Sequence, residues 1–107
     1  MKRVGMTWRV DPRYWEEYRD IHLHPWPELL QAFQEHDVRN FNCFAFGTRV
    51  FAYLEIEGDD VYEVLGRVAL TPIKRKWDAE VGVQVLPEAE DGCGIQFLEL
   101  EHIFYSP

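Results

Sequence analysis

Tyr14, Tyr18 and His22 stand at i, i+4 and i+8. Residues four apart share one face of a helix, so this spacing sets phenols and an imidazole side by side. His22 falls where the helical pattern stops, just ahead of Pro25 and Pro27, so its ring can reach the rim of a sheet. Imidazole titrates near neutral pH and can give or take a proton there. The same spacing also suits a capping histidine, or a core one stacked on Trp26, and spacing alone does not choose.

The other candidates carry weaker signals. His24 sits two residues on and points elsewhere, which suits a cap or the surface better than a second acid–base group. His36 follows a helical stretch, where the negative end of the helix favours a cation. His102 shares a strand face with Leu98, Leu100 and Phe104 and reads as a sheet histidine. Glu99 and Glu101 fall on the opposite face of that run, with Ile103 and Tyr105, and suit either a sugar hydroxyl or a solvated edge. Four tryptophans, Trp8, Trp15, Trp26 and Trp77, offer flat faces of the kind that stack on sugar C–H groups, or that fill a core. His22, His24 and Glu28 have metal-ligand chemistry, but no distal cluster completes a coordination set, so no metal is expected. There is no GxGxxG, no P-loop and no nucleophile elbow, and the only serine is Ser106 at the C-terminus.

The elements that must position these residues can be read from periodicity. Val4, Met6, Trp8 and Val10 alternate with Gly5, Thr7 and Arg9, as in a two-faced strand. Asp11-Pro12 reads as an N-cap with proline at the first helical position, predicting a helix over 12–22. The prolines at 25 and 27 break it, and Pro27 opens a second helix to about His36. Strands follow over 38–46 and 50–57, joined at Gly47-Thr48-Arg49 as a hairpin. Gly58-Asp59-Asp60 caps a helix carrying the stripe Val61, Leu65, Val68 and Ala69. A last helix is expected over 72–85, then an acidic loop over 87–94 and a fourth strand over 95–105. The order βαββαβ predicts an α+β, ferredoxin-like domain: a four-stranded antiparallel sheet with helices on one face. In the third strand the aliphatic set Ala52, Leu54 and Ile56 suits the helix-packed face. The set Phe51, Tyr53 and Glu55 suits a pocket or a dimer seam on the other.

Length and composition fit this picture. The chain has 107 residues, enough for one domain over 1–107, and 47% hydrophobic residues, enough for a core. A domain this small gains from pairing with a second copy. Its net charge of −8 disfavours nucleic acid and anionic membrane surfaces. Cys43 and Cys93 form no CxxC motif and read as free thiols of a reducing compartment. No apolar run of about 18 residues and no signal core is present, so a cytoplasmic location is expected.

Several segments together resemble the L-rhamnose mutarotase family. They are Glu16-Glu17-Tyr18, then His22, then Trp26-Pro27-Glu28-Leu29; Asn40; Glu55-Ile56-Glu57; Arg75 and Trp77; and the ending Phe104-Tyr105-Ser106-Pro107. The resemblance spans nearly the whole chain in the same order. It implies a homodimeric α/β barrel that interconverts the α and β anomers of L-rhamnose, a monosaccharide, with no cofactor. It also implies His22 as proton donor, Tyr18 as a substrate contact and Trp77 as one of a tryptophan pair that holds the sugar. The first of that pair is Lys76 here, and a second substrate-contacting tyrosine of the family is Phe41. Those two departures imply altered reading of the sugar hydroxyls, so L-fucose stands beside L-rhamnose as an expected substrate. Anomer exchange protonates the ring oxygen and deprotonates the anomeric hydroxyl. A histidine of ordinary pKa, ~6.5, suits the acid role near pH 7. Glu99, Glu101, His24 or a water are open as the partner base. Two other readings share the expected fold: a small monooxygenase of the dimeric α/β-barrel type, and a non-catalytic sugar-binding module.

Overall fold

A computed structural model describes residues 1–87 and 97–107. Cys93, most of the acidic loop and the start of the expected last strand lie outside the described residues.

Strand β1 spans Lys2–Val10, and its alternation is read out as expected: Val4, Met6, Trp8 and Val10 all face the core. Asp11 then caps the chain reversal, its carboxylate accepting the Arg13 N–H at 3.0 Å. The expected helix over 12–22 divides into a 3-10 turn, Pro12–Tyr14, and an α-helix, α1, over Trp15–Leu23. Helix α2 (Pro27–Glu35) opens on its proline, and His36 stands at its C-terminal cap, the position its sequence context indicated. The hairpin of β2 (Val38–Phe46) and β3 (Arg49–Ile56) closes through Gly47, whose φ of 61° is a conformation glycine adopts without strain. Asp60 caps α3 (Val61–Ala69) by accepting the Tyr62 and Glu63 N–H groups. Thr71 caps α4 (Pro72–Val81), its hydroxyl accepting the Lys74 N–H at 3.3 Å.

Two sheet boundaries differ from expectation. Helix α4 ends at Val81 rather than Val85, and a 3-10 turn over Gly82–Gln84 leads into a two-residue strand, β4 (Val85–Leu86). Glycine and valines favour a helix poorly, and here Val85 pairs with Val10 instead. The last strand, β5, covers Leu98–Leu100 only. Strands β4 and β5 pair with different parts of β1, at Arg9–Val10 and at Gly5–Thr7, so together they form the fourth column of the sheet. All pairings are antiparallel, in the order β2-β3-β1-β4 with β5 also on β1. This is the expected ferredoxin-like arrangement.

The helices cover one face of the sheet. Leu54, Ile56, Val10 and Val38 of the strands interlock with Val61, Val64 and Val68 of α3, each essentially removed from water. The opposite face carries Phe44 opposite Phe51, with Leu98 and Leu100, all exposed. Residues 101–107 leave strand geometry. The Arg3 guanidinium lies 4.2 Å from the centre of the Tyr105 ring.

Candidate active site

A cavity of about 710 Å³ lies between the helices and the sheet face they cover. Its floor comes from β1, β2 and β3 through Met6, Trp8, Cys43 and Val50, and its walls come from all four helices. The sequence pattern pointed to the aromatic and acidic face of β3 instead. That face holds a different, smaller cavity of about 470 Å³, bounded by Arg3, Tyr53 and the C-terminal residues. The larger cavity thus lies within one chain, behind the aliphatic face.

Tyr18 and His22 both line the larger cavity. Their helical spacing stacks the two rings, centroids 4.1 Å apart at 27°. The His22 Nδ1 stands 2.7 Å from the Tyr18 carbonyl oxygen. A carbonyl only accepts, so Nδ1 carries the proton and donates it, which leaves Nε2 as the free position of the ring. Burial lowers the His22 pKa, against an opposing contribution from that hydrogen bond. The neutral form is therefore favoured at neutral pH, and its Nε2 holds a lone pair. His22 therefore rests neutral, with Nε2 open to take up a proton.

Tyr18 is buried, and its hydroxyl oxygen accepts a hydrogen bond from the Trp8 indole N–H at 2.6 Å. Burial, the largest cause, raises its pKa above the ordinary phenol value, so the hydroxyl stays protonated. From α4, Trp77 presents its ring edge-on to His22 at 5.1 Å, and Trp26 meets Trp77 edge-on at 5.1 Å. The His22 ring thus packs on Tyr18 and Trp77, not on Trp26. Phe41 lines the cavity and packs edge-on against Phe33 at 5.2 Å.

Several candidates stand elsewhere. Lys76 is exposed on α4 with its ammonium 5.3 Å from the centre of the Trp26 ring, and it does not line the cavity. An α-helix turns adjacent residues about 100° apart, which takes Lys76 away from the face Trp77 occupies. His24 is exposed beside the Asp20 carboxylate at 3.6 Å. Glu99 pairs with Lys2 at 3.4 Å, while Glu101 and His102 border the other cavity. His102 lies beyond the last strand, not within it. His24, Glu99, Glu101 and His102 are not among the residues that line the cavity His22 borders.

Residue-type reasoning passed over other lining groups. Lys74 and Asp78 line the cavity and pair with each other one helical turn apart. Their i, i+4 spacing around Trp77 was the available signal. Cys43 also lines the cavity, and desolvation pushes its thiol up to about 11, so it is protonated at neutral pH. No group of three metal-ligating side chains converges among the described residues.

The model of the family described as L-rhamnose mutarotase matches residues 3–106. The chain belongs to the L-rhamnose mutarotase family. An L-rhamnose mutarotase from Mannheimia succiniciproducens is 32% identical over 107 residues, 98% of either chain. Among solved structures, an L-rhamnose mutarotase from Formosa agariphila superposes over the whole of both chains with a TM-score of 0.77 at 20% identity. Tetracenomycin F2 cyclase from Streptomyces glaucescens, a type-II polyketide cyclase, does so at 0.71 and 22%. At those identities the two structures attest the fold alone. The family match, not the fold, selects among the readings left open by the sequence: mutarotases are isomerases that interconvert anomers, and this chain is an enzyme of that kind.

Proposed function

We propose that this mutarotase interconverts the α and β pyranose anomers of a deoxy-hexose, L-rhamnose or L-fucose, with His22 moving the proton. The observation that carries the reading is the His22 ring itself. It borders the cavity beside Tyr18 and Trp77, and its Nδ1 is tied to the Tyr18 carbonyl. The neutral Nε2 takes the proton of the anomeric hydroxyl, a carbonyl forms at C1, and the C1–O5 bond breaks with its electron pair passing to the ring oxygen. Rotation about C1–C2 turns the aldehyde. Closure returns the His22 proton to the oxygen of the aldehyde as O5 attacks the other face. No electron leaves the sugar and no group is transferred, so the reaction calls for no cofactor and no metal.

Trp77 holds the sugar in this reading, and Phe41 sets part of its specificity. Phe41 stands in the cavity where the family resemblance expects a tyrosine, so one hydroxyl contact to the sugar is replaced by an apolar face. Lys76 has no contact with the sugar. The exposed aromatic face of the sheet pairs two copies into a homodimer, and the protein works in the cytoplasm.

Saturation-transfer NMR on L-rhamnose and L-fucose tests the central step. His22→Ala should keep the native circular dichroism and lose about 10²–10⁴-fold in exchange rate, the usual contribution of positioned proton transfer. Exchange at the wild-type rate in a folded His22→Ala protein would remove His22 from the reaction.

A further inference from the structure

Ring opening needs a proton-accepting group at O1 and a proton-donating group at O5. In the reading above His22 supplies the first, and the second then calls for a separate group. We propose that Tyr18 is the donor to the ring oxygen and that Trp8 is the positioning residue that makes it one, an inference that rests on the His22 reading above.

The Trp8 indole N–H can only donate, and the Tyr18 hydroxyl oxygen accepts from it at 2.6 Å. The hydroxyl is left with one proton to give, and among the described residues no protein acceptor takes it. Both partners line the cavity, so the proton is available to a ligand there. The geometry is held from two sides. Trp8 is fixed on β1 by its register opposite Val50 of β3, and Tyr18 is fixed on α1, with both side chains buried. Neither ring can turn without breaking core packing.

The stack on His22 completes the argument. O1 and O5 are both bonded to C1, so the groups that act on them must stand side by side. The imidazole and phenol rings do so, 4.1 Å apart. As the C1–O5 bond breaks, its electron pair goes to O5, which takes the Tyr18 proton. The Trp8 N–H then steadies the negative charge left on the phenol oxygen. On closure, O5 returns that proton to Tyr18 while its freed electron pair forms the bond to C1, and His22 returns its own proton to O1. No atom or electron is gained or lost.

Trp8→Phe keeps a ring in the core and deletes the N–H. Exchange by NMR should fall about tenfold, the worth of one buried hydrogen bond, in kcat with KM little changed. Tyr18→Phe should fall further, and Trp8→Phe in the Tyr18→Phe background should cost nothing more. If Trp8→Phe does not fold, benzothienylalanine at position 8, a near-isostere with sulfur in place of the N–H, replaces it with the same expected loss. Wild-type kcat in either protein, or the same tenfold loss with and without the Tyr18 hydroxyl, would overturn the proposal. The His22→Ala result is read separately: an inactive His22→Ala with a fully active Trp8→Phe rejects the Trp8 role alone.

Discussion

His22 ties its protonation state to both rate and stability. In the proposed reaction its neutral form does the work, and burial lowers its pKa, so exchange should rise with pH and level off before neutrality, with a midpoint below 6.5. A rate that falls as pH climbs from 5 to 7 would contradict a base role. The same shift has a stability counterpart. The unfolded chain binds a proton at His22 more readily than the folded chain. Stability from this group is therefore full above pH ~6.5 and declines as pH falls toward the folded pKa. Urea titrations should show His22→Gln losing less stability than wild type between pH 7 and pH 5. At Phe41, restoring a phenol hydroxyl should favour the sugar that the family reads. Phe41→Tyr should raise the ratio of L-rhamnose to L-fucose exchange several-fold, within the range a single polar contact can discriminate. An unchanged ratio would show that Phe41 does not read the sugar.

At the scale of elements, the irregularity in β2 matters most. The β2–β3 register shifts between Arg39 and Asn42, and Asn40 sits there with a φ of 51°. A residue in the left-handed region is tolerated best when its side chain is Asn, Asp or Gly. Here the Asn40 amide also donates to the Glu55 carboxylate across the strands, and the Asn42 amide donates back to the Asn40 carbonyl at 2.8 Å. The extra residue resets the alternation of β2, so that Phe41 and Cys43 both line the cavity. Asn40→Val forces a β-branched residue into this conformation and removes the tie to Glu55. It should cost about 1–2 kcal/mol in chemical denaturation and lower exchange through a displaced Phe41. Full stability and full activity in that variant would show that the bulge does not position the site.

For the whole molecule, the uncovered face of the sheet is the outstanding feature. Phe44 is 65% exposed, and Ile103 and Phe104 are more so, at 84% and 80%. Large apolar side chains left in water on one side of a sheet favour a partner. The proposed homodimer covers it and leaves the cavity's helical walls within one chain, with Phe44 bordering both. Sedimentation equilibrium should return twice the chain mass for wild type. Phe44→Asp with Phe51→Glu should return a single chain mass. A wild-type protein that sediments as one chain at high micromolar concentration would reject the dimer.

Alternation in β1 and β3, proline and aspartate at the helix starts, and the short hairpin loop were legible in the sequence, because each is fixed by neighbours in the chain. So was the stacking of Tyr18 on His22, since four residues of helix bring them together wherever the helix packs. Boundaries set by partners were not legible. Val85 ends in a strand because Val10 lies beside it, and the last strand stops at Leu100 although its alternating pattern continues. The side of the sheet that holds the cavity was also hidden, because aromatic residues suit a pocket and a seam equally well. Above all, the bond from Trp8 to Tyr18 joins a strand to a helix, and the tilt of His22 toward neutrality comes from burial by segments far along the chain. Local chemistry chose the groups; only three-dimensional packing, which sets dielectric and distance, decided which of them meet.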